Sequence, residues 1–263
     1  LNLLSSFGSY TRKYFNSPRI RRMLEFPVLF LGGTAETTPA LYSLMNYSDM
    51  VQGTWYPEGG MYKVVEAMET LARDLGVEFR YNEEVKSIRL DNGKISLLKT
   101  AASEYKADWV IASGDYHHIE QHLLPESHRN YTEKYWDKRT LSPSSLIYYL
   151  GFDTTIPRLD HHTLLFDEDF DDHARAIYGN PSWPEKPSVY LSCTSKTDKT
   201  VAPEGHENVF ALIPVAPGLN DTDEIRQKYL EMVLTRLEKY TGQQLRQHLV
   251  YQRSYSQRDF ITD

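Results

Sequence analysis

Apolar residues recur with a helical period in the segment that follows Gly59 and Gly60. They stand at Met61, Val64, Val65, Met68, Leu71, Ala72 and Leu75. Residues three and four apart lie on one face of a helix, so this spacing predicts an amphipathic helix with a single apolar stripe. Gly76 follows the last apolar position, as glycine often does just beyond a helix end.

After this helix the pattern changes to alternation. An alternating stretch with apolar residues at Val77, Phe79 and Tyr81 predicts a strand. Two further strand-like runs, 85–90 and 94–100, are joined by Asp91-Asn92-Gly93, which is a strong hairpin signal. The short apolar run Asp108–Ala112 predicts a buried strand of a parallel sheet. Helix, strand, hairpin and buried strand together indicate α/β layering.

The flanking parts of the chain follow other patterns. Residues 1–53 show little alternation, and Pro39 follows two threonines that can cap a helix, so this part is predicted to be mainly helical. Residues 126–263 contain strand-like runs at Ser145–Phe152, His162–Phe166, Ser188–Cys193 and Asn208–Val215. A last helix is predicted after Asp221, with Asp221 as its cap and Glu224 three residues on.

These patterns predict three parts, 1–53, 54–125 and 126–263. We expect an α/β chain with α+β character, in which a partial nucleotide-type layer (54–125) is interleaved with a helical and mixed-sheet domain. A length of 263 residues is enough for one large domain or two ordinary ones.

Composition and charge exclude several classes of protein. The net charge of −7 and the absence of a long basic run argue against a nucleic-acid partner. The longest apolar stretch, Phe26–Gly33, is far shorter than the about 18–20 residues needed to span a bilayer. The sequence begins at Leu1 without an initiator Met or a signal segment, so we expect an internal piece of a longer protein.

Two glycine-containing segments are candidates for ligand contact. Gly59-Gly60 precedes the predicted amphipathic helix, where backbone N–H groups can approach a phosphate or a flat polar ring. The alternative is a simple turn before a helix. Ala112-Ser113-Gly114 ends the predicted buried strand, at the edge where α/β folds bind nucleotides, although an ordinary strand exit fits equally well. No GxGxxG fingerprint occurs in the chain.

Other candidates have plain structural interpretations. Arg19, Arg21 and Arg22 form either a solvated helix face or a group that orients a polar ligand. Cys193 is expected to be a small buried side chain. No metal site is predicted, because the histidines lack known ligand spacing at His117/His118, His161/His162, and His122 with His128. Several aromatic residues could line a channel for a long apolar ligand or belong to the core, among them Tyr42, Tyr47, Trp55, Tyr56, Tyr148 and Tyr149.

Taken together, several sequence blocks resemble the bacterial phytoene desaturases, the FAD-dependent carotenoid dehydrogenases of the amine-oxidase-like flavoproteins. The blocks are FPVLFLGGTAETTPALYSLMNY, GTWYPEGGMYKVVEAMETLARDLGVEFRYNEEVKSI, HHTLLF, SVYLSCTSKTDKTVAPEGHENVFALIPV and SYSQRDF, in this order. WYPEGGM occurs widely among amine-oxidase-like flavoproteins. The segments Gly32–Leu44 and Ser195–Gly205 are more particular to carotenoid desaturases.

The resemblance implies how the parts of the chain divide between cofactor and substrate. Residues 54–125 would be the middle of an FAD domain, and the flanking parts would form the substrate domain. The residues implied to lie at FAD are Glu58, Gly59, Gly60, Val85, Ala112, Ser113 and Gly114, with Val85 contributing backbone groups to adenine. The N-terminal GxGxxG unit and the C-terminal glycine-rich segment of the family are missing, so this piece alone is expected to lack FAD and to be inactive.

The resemblance also implies a reaction and a location. The reaction is desaturation of a phytoene-like acyclic polyene by hydride transfer to flavin, with Arg21 and Asp49 matching family positions that could stabilise or relay charge. Such a substrate dissolves in membranes, so a cytoplasmic protein bound peripherally to a membrane surface is expected. The alternatives are another flavin oxidoreductase of the amine-oxidase-like group and a non-catalytic isoprenoid carrier of the same architecture.

Overall fold

The computed structural model describes residues 5–139, 141–166 and 170–262. The chain divides into two compact units. The larger contains Leu1–Glu66 and Leu141–Asp263, and the smaller contains Ala67–Thr140. These boundaries follow residues 66 and 140, whereas the sequence patterns suggested boundaries after residues 53 and 125. The assignment of cofactor and substrate roles to the predicted parts stays a prediction.

Helices of very different lengths occur along the chain. The α-helices are α1 (Phe7–Tyr14), α2 (Pro18–Glu25), α3 (Ser43–Tyr47), α4 (Tyr62–Asp74), α5 (Tyr116–His118), α6 (Glu133–Trp136), α7 (Phe170–Ala174), α8 (Asp223–Thr241) and α9 (Gln257–Thr262). Short 3₁₀ turns lie at Phe26–Leu31, Ala40–Tyr42, Glu126–His128, Thr194–Lys196 and Arg246–His248. Short π-helical turns lie at Ser48–Gln52, Ile119–Leu123 and Arg175–Gly179.

The strands form two antiparallel sheets. They are β1 (Val85–Asp91), β2 (Lys94–Thr100), β3 (Glu104–Tyr105), β4 (Ser144–Phe152), β5 (His162–Leu165), β6 (Val189–Ser192), β7 (Glu207–Val215) and β8 (Leu249–Tyr255). The mixture of helices and sheets confirms the predicted α/β class. All the strand pairs in the described part of the chain are antiparallel, so the parallel sheet expected in the middle part does not form there.

A five-stranded sheet organises the larger unit, with the order β5-β6-β7-β4-β8. Side chains alternate between the two faces of a strand, and one face carries the buried set Leu146, Tyr148, Leu150, Phe152, Val209, Ala211 and Ile213. Helix α8 packs on this face through Tyr229, Val233 and Leu237. The opposite face, which includes Tyr149 and Phe210, remains partly exposed.

Helix α8 begins one residue later than the sequence suggested. Its N-cap is Thr222, whose side chain accepts a hydrogen bond from the N–H of Ile225. The expectation that Asp221 caps the helix is wrong, because the Asp221 carboxylate instead accepts hydrogen bonds from the buried Arg226 guanidinium, one of them over 2.7 Å. A buried guanidinium requires a charged partner, so the Asp221 carboxylate binds Arg226 rather than the N–H groups at the start of α8.

The N-terminal part is mainly helical, as predicted. Ser6 caps α1 and accepts from the N–H of Ser9. Pro39 precedes a 3₁₀ turn that continues into α3. Ser6 and Pro39 also form an isolated antiparallel bridge, which ties the start of α1 to the segment before α3.

The smaller unit contains the predicted hairpin. Strands β1 and β2 pair antiparallel, and β3 pairs with the other edge of β2. The turn residues Asn92 and Gly93 have φ angles of 52° and 75°. Such angles suit the type I′ turns of two-residue hairpins, and they explain why Asn-Gly is a reliable signal.

Helix α4 also forms where the periodicity placed it, but none of its residues is buried. Two predicted strands of this region are absent. Residues 77–80 and 108–112 lie outside regular secondary structure, and Trp109 and Ile111 are 89% and 95% exposed. Their apolar pattern suits a sheet interior, but no strand among the described residues pairs with either segment, and a strand requires such a partner.

No helix in the described segments combines the length and the apolar character needed to cross a bilayer.

Candidate functional site

The Gly59-Gly60 turn is fixed to the loop that joins β6 to β7. The N–H of Gly59 donates to Oδ2 of Asp198 over 2.7 Å. The N–H of Gly60 donates to the carbonyl of Pro57 over 3.1 Å. The two glycines have φ angles of 85° and 100°, in the region that side chains other than glycine rarely adopt.

Asp198 is a buried residue, only 6% exposed, and its carboxylate accepts three hydrogen bonds. Besides Gly59, its donors are the N–H of Thr200 at 2.8 Å and the hydroxyl of Thr200 at 2.7 Å. The bonds from the Thr200 hydroxyl, the Thr200 N–H and the Gly59 N–H hold the pKa of Asp198 below its usual value. The acceptor for the Gly59 N–H, which lies just before α4, is therefore the carboxylate of Asp198 in this chain.

A second contact joins the segment of the glycine turn to His161, which immediately precedes β5. The ring of Tyr56 meets the ring of His161 edge to face, with centroids 4.9 Å apart. Nδ1 of His161 lies 2.6 Å from the Thr197 hydroxyl. Burial, and then the neighbouring His162, lower the pKa of His161. Residues 56–60 thus contact Asp198 through Gly59 and His161 through Tyr56, and His161 is itself bonded to Thr197.

A buried polar cluster supports the β6–β7 loop from within. Lys196 Nζ lies 2.5 Å from Oε1 of Glu207, and the Ser195 hydroxyl donates to Oε2 of the same carboxylate. Burial opposes ionisation of Glu207, but the Lys196 and Ser195 bonds outweigh it and lower its pKa. Burial raises the pKa of the Cys193 thiol to about 11, so Cys193 is an inert buried side chain, as expected.

A cavity of about 450 Å³ opens on the sheet face opposite α8. Its walls are mainly apolar, with Tyr149, Phe210 and Tyr251 from the sheet and Val201, Ala202 and Pro203 from the β6–β7 loop. This volume lies within the range of small-molecule sites, roughly 300–1,000 Å³. The loop whose Asp198 holds Gly59 therefore also forms one wall of an apolar cavity.

The predicted aromatic candidates divide between core and surface. Tyr148 lies on the buried face, where its hydroxyl donates to the carbonyl of Arg226 over 2.6 Å. Its neighbour Tyr149 lines the cavity on the other face. Adjacent residues of a strand point to opposite faces, so these two tyrosines cannot line one channel.

The predicted catalytic residues lie apart from this arrangement. Arg21 lines a separate cavity of about 230 Å³, together with Arg12, Glu25 and Glu36. Asp49 is exposed in the π-helical turn after α3 and accepts from the Thr54 hydroxyl. The contacts seen in the described residues do not join Arg21 to Asp49, and the roles suggested for both remain predictions.

The other predicted cofactor residues have simple surroundings. Glu58 is exposed beside the Gly59 turn. Val85 begins β1 in the smaller unit, opposite Thr100. Ala112, Ser113 and Gly114 form an exposed segment before Asp115, whose side chain accepts from the N–H of His118 over 2.8 Å. Their contact with FAD remains a prediction.

The structure limits how the glycine turn can contact a flavin. The N–H groups of Gly59 and Gly60 already have acceptors, so they do not form a phosphate site. A methyl group added to Gly60 would meet only the Tyr56 hydroxyl, at 3.6 Å, and this open surface suits a flat ring. The open surface at Gly60 is compatible with contact with a flat ring, whereas a phosphate group would need donors other than these two N–H groups.

Asp198 and His161 were assigned no role from the sequence, although both lie in blocks that carried the family resemblance. Asp198 stands in SKTDKT, where a following Thr can donate to it, but the contact with Gly59 spans 139 residues. Within residues 5–139, 141–166 and 170–262, no group of three His, Cys, Asp or Glu side chains is suited to a metal.

Comparison with known proteins identifies the family. The model of the family described as flavin containing amine oxidoreductase matches residues 4–261. The chain is 39% identical over 260 residues to a carotenoid 3,4-desaturase of Haloarcula japonica, covering 99% of this chain and 52% of that protein. It is 31% identical to a phytoene desaturase of Fusarium fujikuroi, covering 84% of this chain and 39% of the relative.

Solved structures show the same fold at low sequence identity. An oxidoreductase from Methanosarcina mazei superposes with a TM-score of 0.66 at 18% identity, over 96% of this chain and 56% of that one. A Rab GDI from Plasmodium falciparum superposes with a TM-score of 0.58 at 13% identity, over 97% of this chain and 51% of the other.

The chain spans about half the length of the curated relatives described above. The family model nevertheless covers nearly all of it. The resemblance to carotenoid desaturases is confirmed, and the chain belongs to the flavin-containing amine oxidoreductase family.

Proposed function

We propose that this chain is part of an FAD-dependent desaturase that acts on a phytoene-like acyclic carotenoid precursor. The observation that carries the proposal is the double role of the β6–β7 loop. Asp198 in this loop holds Gly59, while Val201, Ala202 and Pro203 wall the apolar cavity. The same loop therefore contacts both the glycine turn, which we propose meets the flavin ring, and the cavity, which we propose binds the apolar substrate.

The residues of the cavity fit a polyene. Aromatic faces and small apolar side chains bury a hydrocarbon without requiring hydrogen bonds from it. In the proposed reaction the isoalloxazine ring supplies the hydride acceptor that a C–H bond without a polar neighbour requires. The second hydrogen leaves as a proton, and we assign Asp49 to relaying this proton and Arg21 to stabilising the negative charge that the hydride adds to its acceptor.

Flavin content and turnover of the whole protein test the proposal. We expect the purified protein to show flavin absorbance and to convert an acyclic carotenoid precursor to a more unsaturated product. A colourless protein that binds isoprenoids without converting them would indicate a carrier. Turnover of amines or porphyrinogens instead would indicate another oxidoreductase of the family.

Substitution of Arg21 tests its assigned role. A guanidinium can stabilise the negative charge that hydride transfer adds to the acceptor, and loss of such a group costs roughly a hundredfold in kcat, so Arg21→Ala is expected to lower desaturase turnover to that extent. Arg89→Ala, at an exposed arginine of β1 to which no role is assigned, is the control and should leave turnover unchanged. Equal turnover of Arg21→Ala and wild type would remove Arg21 from the mechanism.

We also propose that the N-terminal helices bind a membrane surface, with the whole protein on the cytoplasmic side. Apolar side chains exposed there include Met23, Leu44, Tyr47, Met50 and Val51. Arg19, Arg21 and Arg22 lie in α2 within the same part of the chain. Exposed apolar side chains combined with basic residues favour binding to anionic lipid surfaces.

Vesicle flotation tests the membrane proposal. Met23→Ser combined with Leu44→Ser should reduce flotation with anionic phosphatidylglycerol vesicles severalfold, because fewer apolar groups enter the lipid. Leu141→Ser, which also changes an exposed apolar residue, is the control and should float like wild type. Failure of the wild-type protein to float would contradict the proposal.

A further inference from the structure

We infer that Asp198 is a positioning residue that fixes the Glu58–Gly60 turn for contact with the flavin. This inference rests on the proposed function, because it takes the turn as a surface for the ring. It assigns Asp198 no contact with substrate or cofactor. Asp198 acts through Gly59, to which it is bonded over 2.7 Å.

The two carboxylate oxygens of Asp198 have different partners. Oδ1 accepts both bonds from Thr200, which close a local turn two residues long. Oδ2 accepts from the N–H of Gly59, which is 139 residues away in sequence. One oxygen therefore shapes the β6–β7 loop, and the other binds that loop to the glycine turn.

This division explains why a carboxylate is needed at position 198. An amide has a single oxygen, so Asn could keep the Thr200 bonds only by turning its NH₂ group toward the N–H of Gly59. Two donors would then face each other at a buried position. Asp198→Asn should therefore break the long-range contact while the local turn survives.

The Tyr56–His161 contact gives the turn a second point of attachment. With Tyr56 held against His161 and Gly59 held by Asp198, the backbone of Glu58 lies between two fixed residues. The Lys63 side chain packs against Gly59, whereas a methyl group added to Gly60 would meet only the Tyr56 hydroxyl, at 3.6 Å, so the open surface of the turn lies at Gly60. Fixing such a surface limits the orientations that a contacting ring can adopt.

Hydrogen exchange and kinetics of the whole protein together test the inference. Asp198→Asn should raise the exchange rate of the Gly59 amide at least about tenfold, because its acceptor is lost. It should lower kcat about tenfold to a hundredfold with little change in KM, since misplacement of reacting groups affects the chemical step. The matched control is Thr200→Val, which removes one bond to Oδ1 and leaves the Gly59 contact intact.

The outcomes separate this inference from the proposed function. Unchanged Gly59 exchange in Asp198→Asn, or equal kinetic losses in Asp198→Asn and Thr200→Val, would overturn it. If Asp198→Asn does not fold, amide exchange of the wild-type protein replaces this measurement. The Gly59 amide must then exchange at least about tenfold more slowly than the amide of exposed Gly53, and equal rates would overturn the inference. A wild-type protein that binds no flavin would contradict the proposed function, but it would leave the exchange result standing.

Discussion

His173 is a buried histidine whose protonation state is set by two backbone groups. The N–H of Ser188 donates to Nδ1 over 3.0 Å, so the ring proton must lie on Nε2. Nε2 donates in turn to the carbonyl of Pro214 over 2.7 Å. Burial is the main cause of the lowered pKa of His173, with a smaller lowering by Arg236 and an opposing effect of the Pro214 bond.

Stability should therefore fall as the pH is lowered. An unfolded histidine has a pKa of about 6.5, and the folded-state pKa of His173 lies below its usual value. Between these values the unfolded chain binds more protons, so the free energy of unfolding is fully retained above about pH 6.5 and declines toward lower pH. One such group contributes at most about 1.4 kcal/mol per pH unit.

Urea unfolding at several pH values measures this effect. His173→Gln should flatten the dependence of the unfolding free energy on pH between about pH 5 and 7. The wild-type protein, unfolded at the same pH values, is the reference for this comparison. The same slope in His173→Gln and wild type would show that His173 does not titrate in this range.

Single residues also show what the sequence could reveal. The Asn92-Gly93 turn was predictable because its requirement is local: two residues with positive φ. Tyr148 and Tyr149 could each line a channel or belong to the core, and the period of two along a strand explains why one does each. The bond from Gly59 to Asp198 could not be predicted, because nothing near either residue indicates the other.

At the level of elements, α8 and the five-stranded sheet form the main core. Tyr229, Val233 and Leu237 lie against the buried residues of β4 and β7. Leu237 is completely buried, whereas Lys239, two residues further along the same helix, is exposed. The helix therefore offers a buried site and an exposed site for comparison.

Truncation of Leu237 should destabilise the protein strongly. Leu237→Ala removes apolar contacts and leaves a cavity, which typically costs about 2–5 kcal/mol of unfolding free energy. Lys239→Ala, the control, should change it by less than about 0.5 kcal/mol. Chemical denaturation of the two variants measures the difference, and a loss below about 1 kcal/mol for Leu237→Ala would show that the site repacks freely.

Helices and strands were predictable where the residues of the element itself determine its conformation. The stripe of α4 and the hairpin of β1 and β2 formed as expected, because periodicity and turn chemistry act over short distances. Residues 77–80 and 108–112 failed as predicted strands for the opposite reason. A strand depends on a partner, and alternation alone does not show whether one is present.

For the molecule as a whole, the two units differ in how much they bury. Within the described part of the smaller unit, Ile88 is the single buried apolar side chain. The larger unit contains a cluster of about twenty buried apolar residues around α8 and the sheet. Burial of apolar surface is the main source of folding stability, so the smaller unit has much less to resist opening.

Amide hydrogen exchange of the 263-residue chain should reflect this difference. Amides in β1 and β2 are expected to exchange at least about a hundredfold faster than those in β4 and β7, because less apolar contact opposes their opening. Both pairs are antiparallel, but the β1–β2 register is interrupted and β1 is an edge strand, so the comparison uses the amides that β1 and β2 bond to each other. Equal protection of the two pairs would mean that both units open as one.

The state of Cys193 has a practical consequence for the whole chain. It is the single cysteine among 263 residues, it is fully buried, and its pKa of about 11 leaves almost no thiolate at neutral pH. Maleimide dyes react with thiolates that solvent can reach. A cysteine placed on the surface, for example by Met23→Cys, can therefore carry a fluorophore at one defined position while the native thiol remains in place.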